Sequence, residues 1–175
     1  MKNMANSSVD LFNELGTSRL LDGVYPPIII ADNLRTPENM GLVLRLAGNI
    51  GSPLTLFLSN ELQDFRKSKI KKTSSGASEI VVWKTIKPEE LAKYLPSDYE
   101  IVALETSKDA KNIFTFKFPQ KTAIVVGNEV RGISKEIIDQ ANHSIYIPIP
   151  GCISSLNVTH ALSISIFSWM KQFSM

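Results

Sequence analysis

The chain has 175 residues, of which 43% are hydrophobic and 21% are charged, and its formal net charge is +2. That length suits one well-buried domain and is short for two, and the composition is that of an ordinary globular protein. The single cysteine, Cys152, excludes an internal disulfide and any cysteine-rich zinc site. His143 and His160 have no flanking carboxylates at a metal-binding spacing, so we expect no metal centre.

The sequence shows neither a signal peptide nor a transmembrane segment. Residues 1–8 lack the apolar core that a signal peptide has. No stretch approaches the roughly 20 uninterrupted apolar residues that a membrane-spanning helix needs. We therefore expect a cytoplasmic protein that does not contact a membrane.

The N-terminal half of the chain predicts an extension followed by two pairs of strand and helix. The apolar runs at residues 27–31 and 54–58 are the predicted strands. The polar segment 61–70, which follows the second strand, is compatible with a helix. Residues 1–24 form the extension, and a short amphipathic helix in it is indicated by Leu11, Phe12, Leu15, Leu20 and Leu21.

Residues 36–49 are predicted to form the helix after the first strand. Thr36 suits an N-cap, and Pro37 stands where proline is tolerated in a first helical turn. Within this helix, Arg45 is the one charged residue of an apolar stretch. Burial of an unpaired guanidinium would cost several kcal/mol, so we expect Arg45 to have a partner or to face a cleft.

Gly41 and Gly48 flank Arg45 on the same face of this helix. Each glycine costs about 1 kcal/mol relative to alanine in a helix interior, so their presence indicates that something approaches this face closely. Two explanations stay open at this point. The face either forms a helix–helix contact with Arg45 in a salt bridge, or it belongs to a functional site.

A short segment after the second strand is strongly basic. Because it carries five positive charges, the rest of the chain has a net charge of −3 (+2 minus 5). A local basic patch on a nearly neutral body is typical of a surface that contacts a phosphate backbone, although a solvated basic loop would look the same. The candidate RNA-binding residues are Arg66, Lys67, Lys69, Lys71 and Lys72.

The C-terminal half continues the alternation of strands and helices. Apolar runs predict strands at residues 79–83, 100–104, 122–126 and 144–148, and helices are predicted at 88–95 and 156–173. The last helix carries an apolar stripe that is core or interface, formed by Val158, Leu162, Ile166, Trp169 and Phe173. Since the strands are apolar throughout, we expect one doubly wound α/β domain, with a mostly parallel sheet and helices on both faces.

Three polar or glycine-bearing segments follow predicted strands, at residues 33–45, 127–132 and 148–157. Ligands of a parallel α/β sheet gather beyond the carboxyl ends of its strands, where these segments lie. None of them is a nucleophile elbow, a P-loop or a Rossmann glycine motif, which argues against a conventional NAD or ATP enzyme. Taken singly, each could be only a strand end, a turn or a helix cap.

Taken in order, the three segments resemble the signature motifs of the SpoU/TrmH family of RNA ribose 2′-O-methyltransferases, within the SPOUT superfamily. The first motif is N-x-G-x-x-x-R-x-A at residues 39–47, with a glycine at position 51. The second is IVVGNEVRGIS at 124–134, and the third is IP followed by SLNV within 147–158. The segment KTSSGA at 72–77 resembles a further basic element of the family. The likeness covers residues 26–170, the expected catalytic core of a single domain that fills 1–175.

The resemblance implies a homodimeric enzyme that uses S-adenosylmethionine (SAM) and has its active sites near the subunit interface. It also implies a deep trefoil knot at the C-terminal end of the fold, which connection rules alone would argue against. Carried over by motif, the SAM contacts fall on Leu104, Gly127, Ile147 and Leu156. Backbone amides and carbonyls in an apolar pocket of this kind can read an adenine edge without charged side chains.

The catalytic set that the resemblance implies is Asn39, Arg45, Glu129, Ser155 and Asn157. Arg45 suits a phosphate clamp and a stabiliser of developing alkoxide better than a general base, because a guanidinium stays protonated. We expect Asn39, Ser155 and Asn157 to orient Arg45 and the ribose. We expect Glu129 to pair with Arg45 or with another arginine of the motifs.

The resemblance leaves three functions to distinguish. The leading one is a SAM-dependent methyltransferase that acts on a ribose 2′-hydroxyl of tRNA or rRNA. A SPOUT enzyme that methylates an RNA base is the alternative within enzymes. A non-catalytic RNA-binding dimer that keeps the fold is the alternative outside them.

Overall fold

The computed structural model of the chain describes residues 20–60 and 67–174. Of the amphipathic helix expected in residues 1–24, only Leu20 and Leu21 belong to the described part, and they lie in a turn. Over the described ranges, no helix is both long and apolar enough to cross a bilayer. Nor do three or more His, Cys, Asp or Glu side chains converge there on a position that could hold a metal ion.

Seven parallel strands form one sheet in the spatial order β3-β2-β1-β6-β4-β7-β5, with β6 at its centre. Every neighbouring pair is parallel, as in β1 and β6, where Ile29 pairs with Ile124. The predicted parallel α/β architecture is therefore confirmed. The strands are β1 Ile28–Asp32, β2 Thr55–Leu58, β3 Trp83–Ile86, β4 Glu100–Leu104, β5 Lys111–Asn112, β6 Thr122–Val126 and β7 His143–Tyr146.

Among the described residues, five α-helices connect or follow these strands: α1 Pro37–Ile50, α2 Lys67–Ser74, α3 Leu91–Tyr94, α4 Lys135–Ile138 and α5 Val158–Phe173. The start of α1 is fixed as the sequence predicts, because Thr36 Oγ1 accepts a hydrogen bond from the backbone N–H of Asn39. Its end is set by Gly51, which adopts a left-handed conformation with φ 69°. Short 3₁₀ turns at Ala77–Glu79 and Pro88–Glu90 complete the helical elements of the described residues.

Alternate residues of a strand point to opposite faces of the sheet, and each face is covered by its own cluster of core residues. Ile29 of β1 belongs to the core cluster that includes α1 and α5. Its neighbour Ile30 belongs to the cluster on the other face, with Leu91 of α3 and Ile137 of α4. The expected arrangement of helices on both faces is thereby confirmed.

The apolar stripe of α5 is part of the core, which decides between the two readings of the sequence. Val158, Leu162, Ile166 and Trp169 are all buried. They join the cluster that α1 and the sheet form. Phe167, on another side of α5, remains 47% exposed.

The predicted strand at residues 79–83 is wrong. A 3₁₀ turn occupies Ala77–Glu79, Ile80 is 84% exposed, and the strand begins at Trp83. The misplacement has a physical reason: β3 is an edge strand in which only Ile86 is buried, so apolar content does not mark its position. The sequence also gave no sign of the two-residue strand β5 or of the four-residue helix α4.

Helix α2 explains Gly41 of α1. A Cβ at Gly41 would overlap Thr73 Oγ1 and lie 2.7 Å from the carbonyl oxygen of Ile70, both in α2. A Cβ at Gly48 would lie 3.4 Å from that of Ala77, in the 3₁₀ turn after α2, which is an ordinary contact. The close neighbour that Gly41 requires is therefore a helix of the same chain, whereas the space beside Gly48 does not require glycine.

Alanine at Gly41 and at Gly48 should have opposite effects on stability. Gly41→Ala should lower the free energy of unfolding by about 1–3 kcal/mol, because the new methyl group overlaps α2. Gly48→Ala meets only ordinary contacts, so it should be neutral or stabilising by up to about 1 kcal/mol through helix propensity. Urea unfolding of both variants measures the difference. Equal effects would contradict the α1–α2 contact.

Candidate functional site

The Glu129 carboxylate connects two segments that lie far apart in sequence. Its Oε1 accepts a hydrogen bond of 2.6 Å from Asn39 Nδ2, in the first turn of α1. Its Oε2 accepts one of 3.1 Å from the backbone N–H of Arg35, in the loop after β1. The loop after β6 is thereby tied to the loop and helix that follow β1.

Asn157 brings the third segment to the same place. It is the N-cap of α5, and its Oδ1 accepts hydrogen bonds from the Thr159 backbone N–H at 2.8 Å and from Thr159 Oγ1 at 2.7 Å. Its amide nitrogen points to Asn39 Oδ1 at 3.5 Å, a long and weak contact. Asn39, Glu129 and Asn157 thus form one polar chain, as expected for segments that follow parallel strands of one sheet.

Residues 127–132 form a tight turn that only glycine permits at two positions. Asn128 and Gly132 exchange two backbone hydrogen bonds of 2.9 Å. A Cβ at Gly127 would overlap the backbone of Gly132. Gly132 has φ +70°, and a Cβ there would overlap Glu105 Oε2. These glycines let the turn fold back on itself and hold Glu129 at its tip.

The Asn128 side chain fixes this turn against the neighbouring loop. Its Nδ2 donates to the carbonyl oxygen of Asn33 at 2.6 Å. Its Oδ1 accepts from the backbone N–H groups of Val130 and Arg131, at 2.9 and 3.1 Å. The amide therefore uses both ends to set the position of the turn.

Two carboxylates that the sequence interpretation missed complete the framework. Glu105 follows β4 directly and accepts hydrogen bonds from the backbone N–H groups of Ile133, at 2.9 Å, and Thr106, at 3.0 Å. Asp32 ends β1, is fully buried, and accepts from Ser134 N at 2.7 Å and from Asn33 Nδ2 at 2.8 Å. Their position at the carboxyl ends of strands was the available signal.

Two adjoining cavities, of about 120 and 250 Å³, lie beside this network. Leu104 and Leu156 line both, Ile147 lines the smaller and Gly127 the larger, so the structure brings all four predicted SAM contacts together. Ser155 also lines both cavities, and Glu129 lines the larger. The walls combine aliphatic side chains with a few polar groups, as is typical of small-molecule sites.

Arg45 lies apart from this network, against expectation. Its side chain is exposed, and no hydrogen bond or ion pair of its guanidinium is found among residues 20–60 and 67–174. Six positions separate it from Asn39, which in an α-helix means about 9 Å along the axis and about 120° around it. We expected Glu129 to pair with Arg45 or another arginine of the motifs, but within residues 20–60 and 67–174 it has no arginine side chain as a partner and accepts instead from the Asn39 side chain and the Arg35 backbone.

The basic segment forms the exposed face of α2. Lys67, Lys69, Lys71 and Lys72 are all exposed, whereas Arg66 lies outside the described residues. Lys69 Nζ lies 2.8 Å from a Glu38 carboxylate oxygen, and Lys71 Nζ lies 2.7 Å from one of Glu79. The hydrogen bond from Lys69 lowers the pKa of Glu38 below its usual value. Two of these four lysines of α2 are therefore already paired.

Comparison with known proteins connects this geometry to a family. The sequence model of the SpoU rRNA Methylase family matches residues 26–167. A tRNA (guanosine(18)-2′-O)-methyltransferase from Aquifex aeolicus is 30% identical over 148 residues, which are 83% of this chain and 69% of that protein.

Solved structures show the same fold. The crystal structure of an A. aeolicus TrmH/SpoU tRNA modifying enzyme superposes with a TM-score of 0.75 at 26% identity, over 91% of this chain and 83% of that one. An AdoMet-bound rRNA methyltransferase from Sinorhizobium meliloti gives a TM-score of 0.75 at 20% identity, a likeness of fold alone. That comparison covers 86% of this chain and 59% of the other, so the chain spans about three fifths of that protein's length.

Substitution of Asn39 tests its hydrogen bond with Glu129. Asn39→Asp would place two carboxylates in contact, so the pKa of one should rise in the folded state above its unfolded value. At low pH the variant should therefore have the same free energy of unfolding as the wild type. As pH rises through the raised folded pKa, this free energy should fall below that of the wild type, by about 1–2 kcal/mol at neutral pH. Thermal unfolding between pH 3 and 8 measures this.

The matched control is the double variant Asn39→Asp with Glu129→Gln. It restores an amide–carboxylate hydrogen bond with the two roles exchanged, so most of the lost stability should return. A double variant as unstable at neutral pH as Asn39→Asp alone would show that the two side chains do not interact as described.

Proposed function

Because this chain belongs to the SpoU rRNA Methylase family, we propose that it methylates a ribose 2′-hydroxyl of tRNA or rRNA with SAM as methyl donor. The observation that carries the proposal is the convergence of Asn39, Glu129 and Asn157 beside cavities of a size and lining that suit a small molecule. Residues 26–170 are the proposed catalytic core. The activity named for the A. aeolicus relative supports the reaction type.

The cavities fit the cofactor. Together they reach the volume range of small-molecule sites, and Leu104, Ile147 and Leu156 supply apolar walls for an adenosine moiety. Glu105 lines both cavities and adds a carboxylate, which suits a ligand that carries a sulfonium charge. When bound, SAM supplies an electrophilic methyl group on that sulfonium. The proposed task of the chain is to hold and orient the two reactants.

The polar chain beside the larger cavity is the proposed binding site of the ribose. Glu129 and Ser155 both line this cavity, and each has acceptor capacity for the hydrogen bond of a hydroxyl. Asn39 holds the Glu129 carboxylate from one side, and the Arg35 backbone N–H holds it from the other. A carboxylate fixed in this way can orient a 2′-hydroxyl without the entropic cost of first ordering its own side chain.

We propose that Arg45 clamps a phosphate of the RNA and acts at a site completed by a second subunit. Arg45 is exposed and lies about 120° around α1 from Asn39, which supports a role away from the polar chain of the same subunit. Ile153, Leu156 and Phe167 expose 71%, 39% and 47% of their surface, which supports a homodimer interface near the start of α5.

The trefoil knot is likewise a proposal. Residues 147–156 lie against the loops that follow β4 and β6, because all three segments line the same cavities. The chain must then return from β7, which lies next to the edge strand β5, so that α5 can pack with α1 in the core. This path is compatible with a threaded C-terminal segment.

A methylation assay tests the function directly. The protein is incubated with labelled SAM and with either total tRNA or ribosomal RNA, each prepared from a strain that lacks this protein. We expect one RNA class to gain label in a dinucleotide that resists alkaline cleavage, because a 2′-O-methyl group blocks attack on the adjacent phosphate. Label in a base would support the base-methylating alternative. RNA binding with no label in either class would contradict an enzymatic function.

Arg45→Ala should reduce methyl transfer at least 100-fold, because an electrostatic contact made at the transition state is lost. The dissociation constant for SAM should stay within a few-fold of wild type, since Arg45 does not line the cavities. Single-turnover kinetics and calorimetry measure the two quantities. Unchanged turnover would rule out the assignment of Arg45 to the site.

The lysines of α2 should differ in their effects on RNA binding. Lys67→Ala and Lys72→Ala should each lower the slope of log K against log salt concentration by about 0.7–0.9, the contribution of one phosphate contact. Lys69→Ala and Lys71→Ala are the matched controls and should change it less, because each lysine is already paired with a glutamate. A slope that none of the four variants changes would identify α2 as a solvated basic surface.

A further inference from the structure

A second and larger cleft, of about 630 Å³, lies on the other side of the turn at residues 127–132. It opens beyond the carboxyl ends of β1 and β2, and its walls include Asn33, Asn60 and Val130. Asn128, Val130 and Gly132 line both this cleft and the larger cavity of the proposed SAM site. A single turn of backbone therefore separates the two spaces.

The charges in this cleft are arranged in layers. Arg35 and Arg131 line it and are exposed, whereas Asp32, which lies under its floor, is fully buried. No ion pair or hydrogen bond of either guanidinium is found in the parts of the chain that the structure describes, 20–60 and 67–174. The cleft thus has a cationic rim over an anionic floor.

The floor has unused capacity for hydrogen bonds. Asp32 accepts one hydrogen bond at each oxygen, from Asn33 Nδ2 and from Ser134 N, and a carboxylate oxygen can accept more than one. The Ser134 hydroxyl is buried and has no partner among the described residues. Both groups lie beneath the accessible surface, so they make the floor polar and negative but do not themselves contact a ligand.

These features suit a nucleotide better than a free anion. A planar guanidinium binds phosphate oxygens through two parallel hydrogen bonds, and two such groups stand at the rim. The buried carboxylate would repel a phosphate on the floor, whereas the exposed Asn60 amide in the wall can bind the polar edge of a base. A nucleotide carries both kinds of group, and the cleft volume falls within the range of small-molecule sites.

The position of Arg35 connects the cleft to the proposed reaction. Its backbone N–H donates to the same Glu129 carboxylate that binds Asn39. Arg131 belongs to the turn that carries Glu129. We infer that this cleft binds the RNA nucleotide adjacent to the methylated one, with its phosphate held by Arg35 and Arg131. The inference rests on the proposed function and adds a binding site for the flanking nucleotide to it.

The test uses Arg35→Gln and Arg131→Gln with an in vitro transcript that the wild-type protein methylates. Each variant should raise KM for the RNA about tenfold and lower the salt slope of binding by about one phosphate contact. The rate at saturating RNA and the dissociation constant for SAM should stay within twofold. Arg→Lys at either position should keep the salt slope, because the charge remains.

Lys93→Gln is the control, since Lys93 is an exposed cation of α3 that does not line the cleft. Unchanged KM and salt slope in both arginine variants, or losses no larger than in the control, would overturn the inference. Weaker SAM binding or a lower saturating rate with normal KM would also overturn it, by placing the arginines in the cofactor site or in the chemistry. If the wild-type protein methylates no RNA, the proposed function itself fails, which is a different outcome.

Discussion

The site depends on one carboxylate. Glu129 accepts from the Asn39 side chain and from the Arg35 backbone, so it fixes the loop after β6 to the loop and helix that follow β1. Through Asn39 the constraint extends to Asn157 and the start of α5. Glu129 and Asn39, which lie 90 positions apart, are held together firmly because hydrogen bonds to a charged acceptor are stronger than those between neutral groups, whereas the contact with Asn157 is longer and weaker.

The turn that carries Glu129 can reach this position only because of its glycines. Gly127 allows the strand to turn against its own backbone, and Gly132 allows a left-handed conformation directly over the Glu105 carboxylate. Glu105 and Asp32 in turn bind the backbone N–H groups of Ile133 and Ser134, just after the turn. The backbone shape of the turn and these two carboxylates thus position Glu129.

Much of the fold follows from the sequence, for a physical reason. The central strands β1, β2, β4 and β6 are buried on both faces, so they appear as uniform apolar runs whose positions are easy to recognise. The edge strand β3 buries one residue of four, and its predicted position was wrong. The carboxyl-end rule also predicted that the segments after β1, β6 and β7 would meet, and the family resemblance pointed to Asn39, Glu129 and Asn157 within them. The rule could not say that Glu129 bonds Asn39 rather than Arg45, because that depends on which side of α1 each residue occupies.

The pairing of α2 with its neighbours has a consequence for selectivity among anions. Lys69 and Lys71 are held by Glu38 and Glu79, so a polyanion must displace a carboxylate from each lysine that it recruits. A single phosphate gains little from such an exchange, because one ion pair merely replaces another. Lys67 and Lys72 have no carboxylate partner among residues 20–60 and 67–174, so a strand with regularly spaced phosphates could bind them without displacing one and then exchange the other two at small further entropic cost. If α2 contacts RNA as proposed, its surface would therefore favour long, densely charged chains over isolated anions.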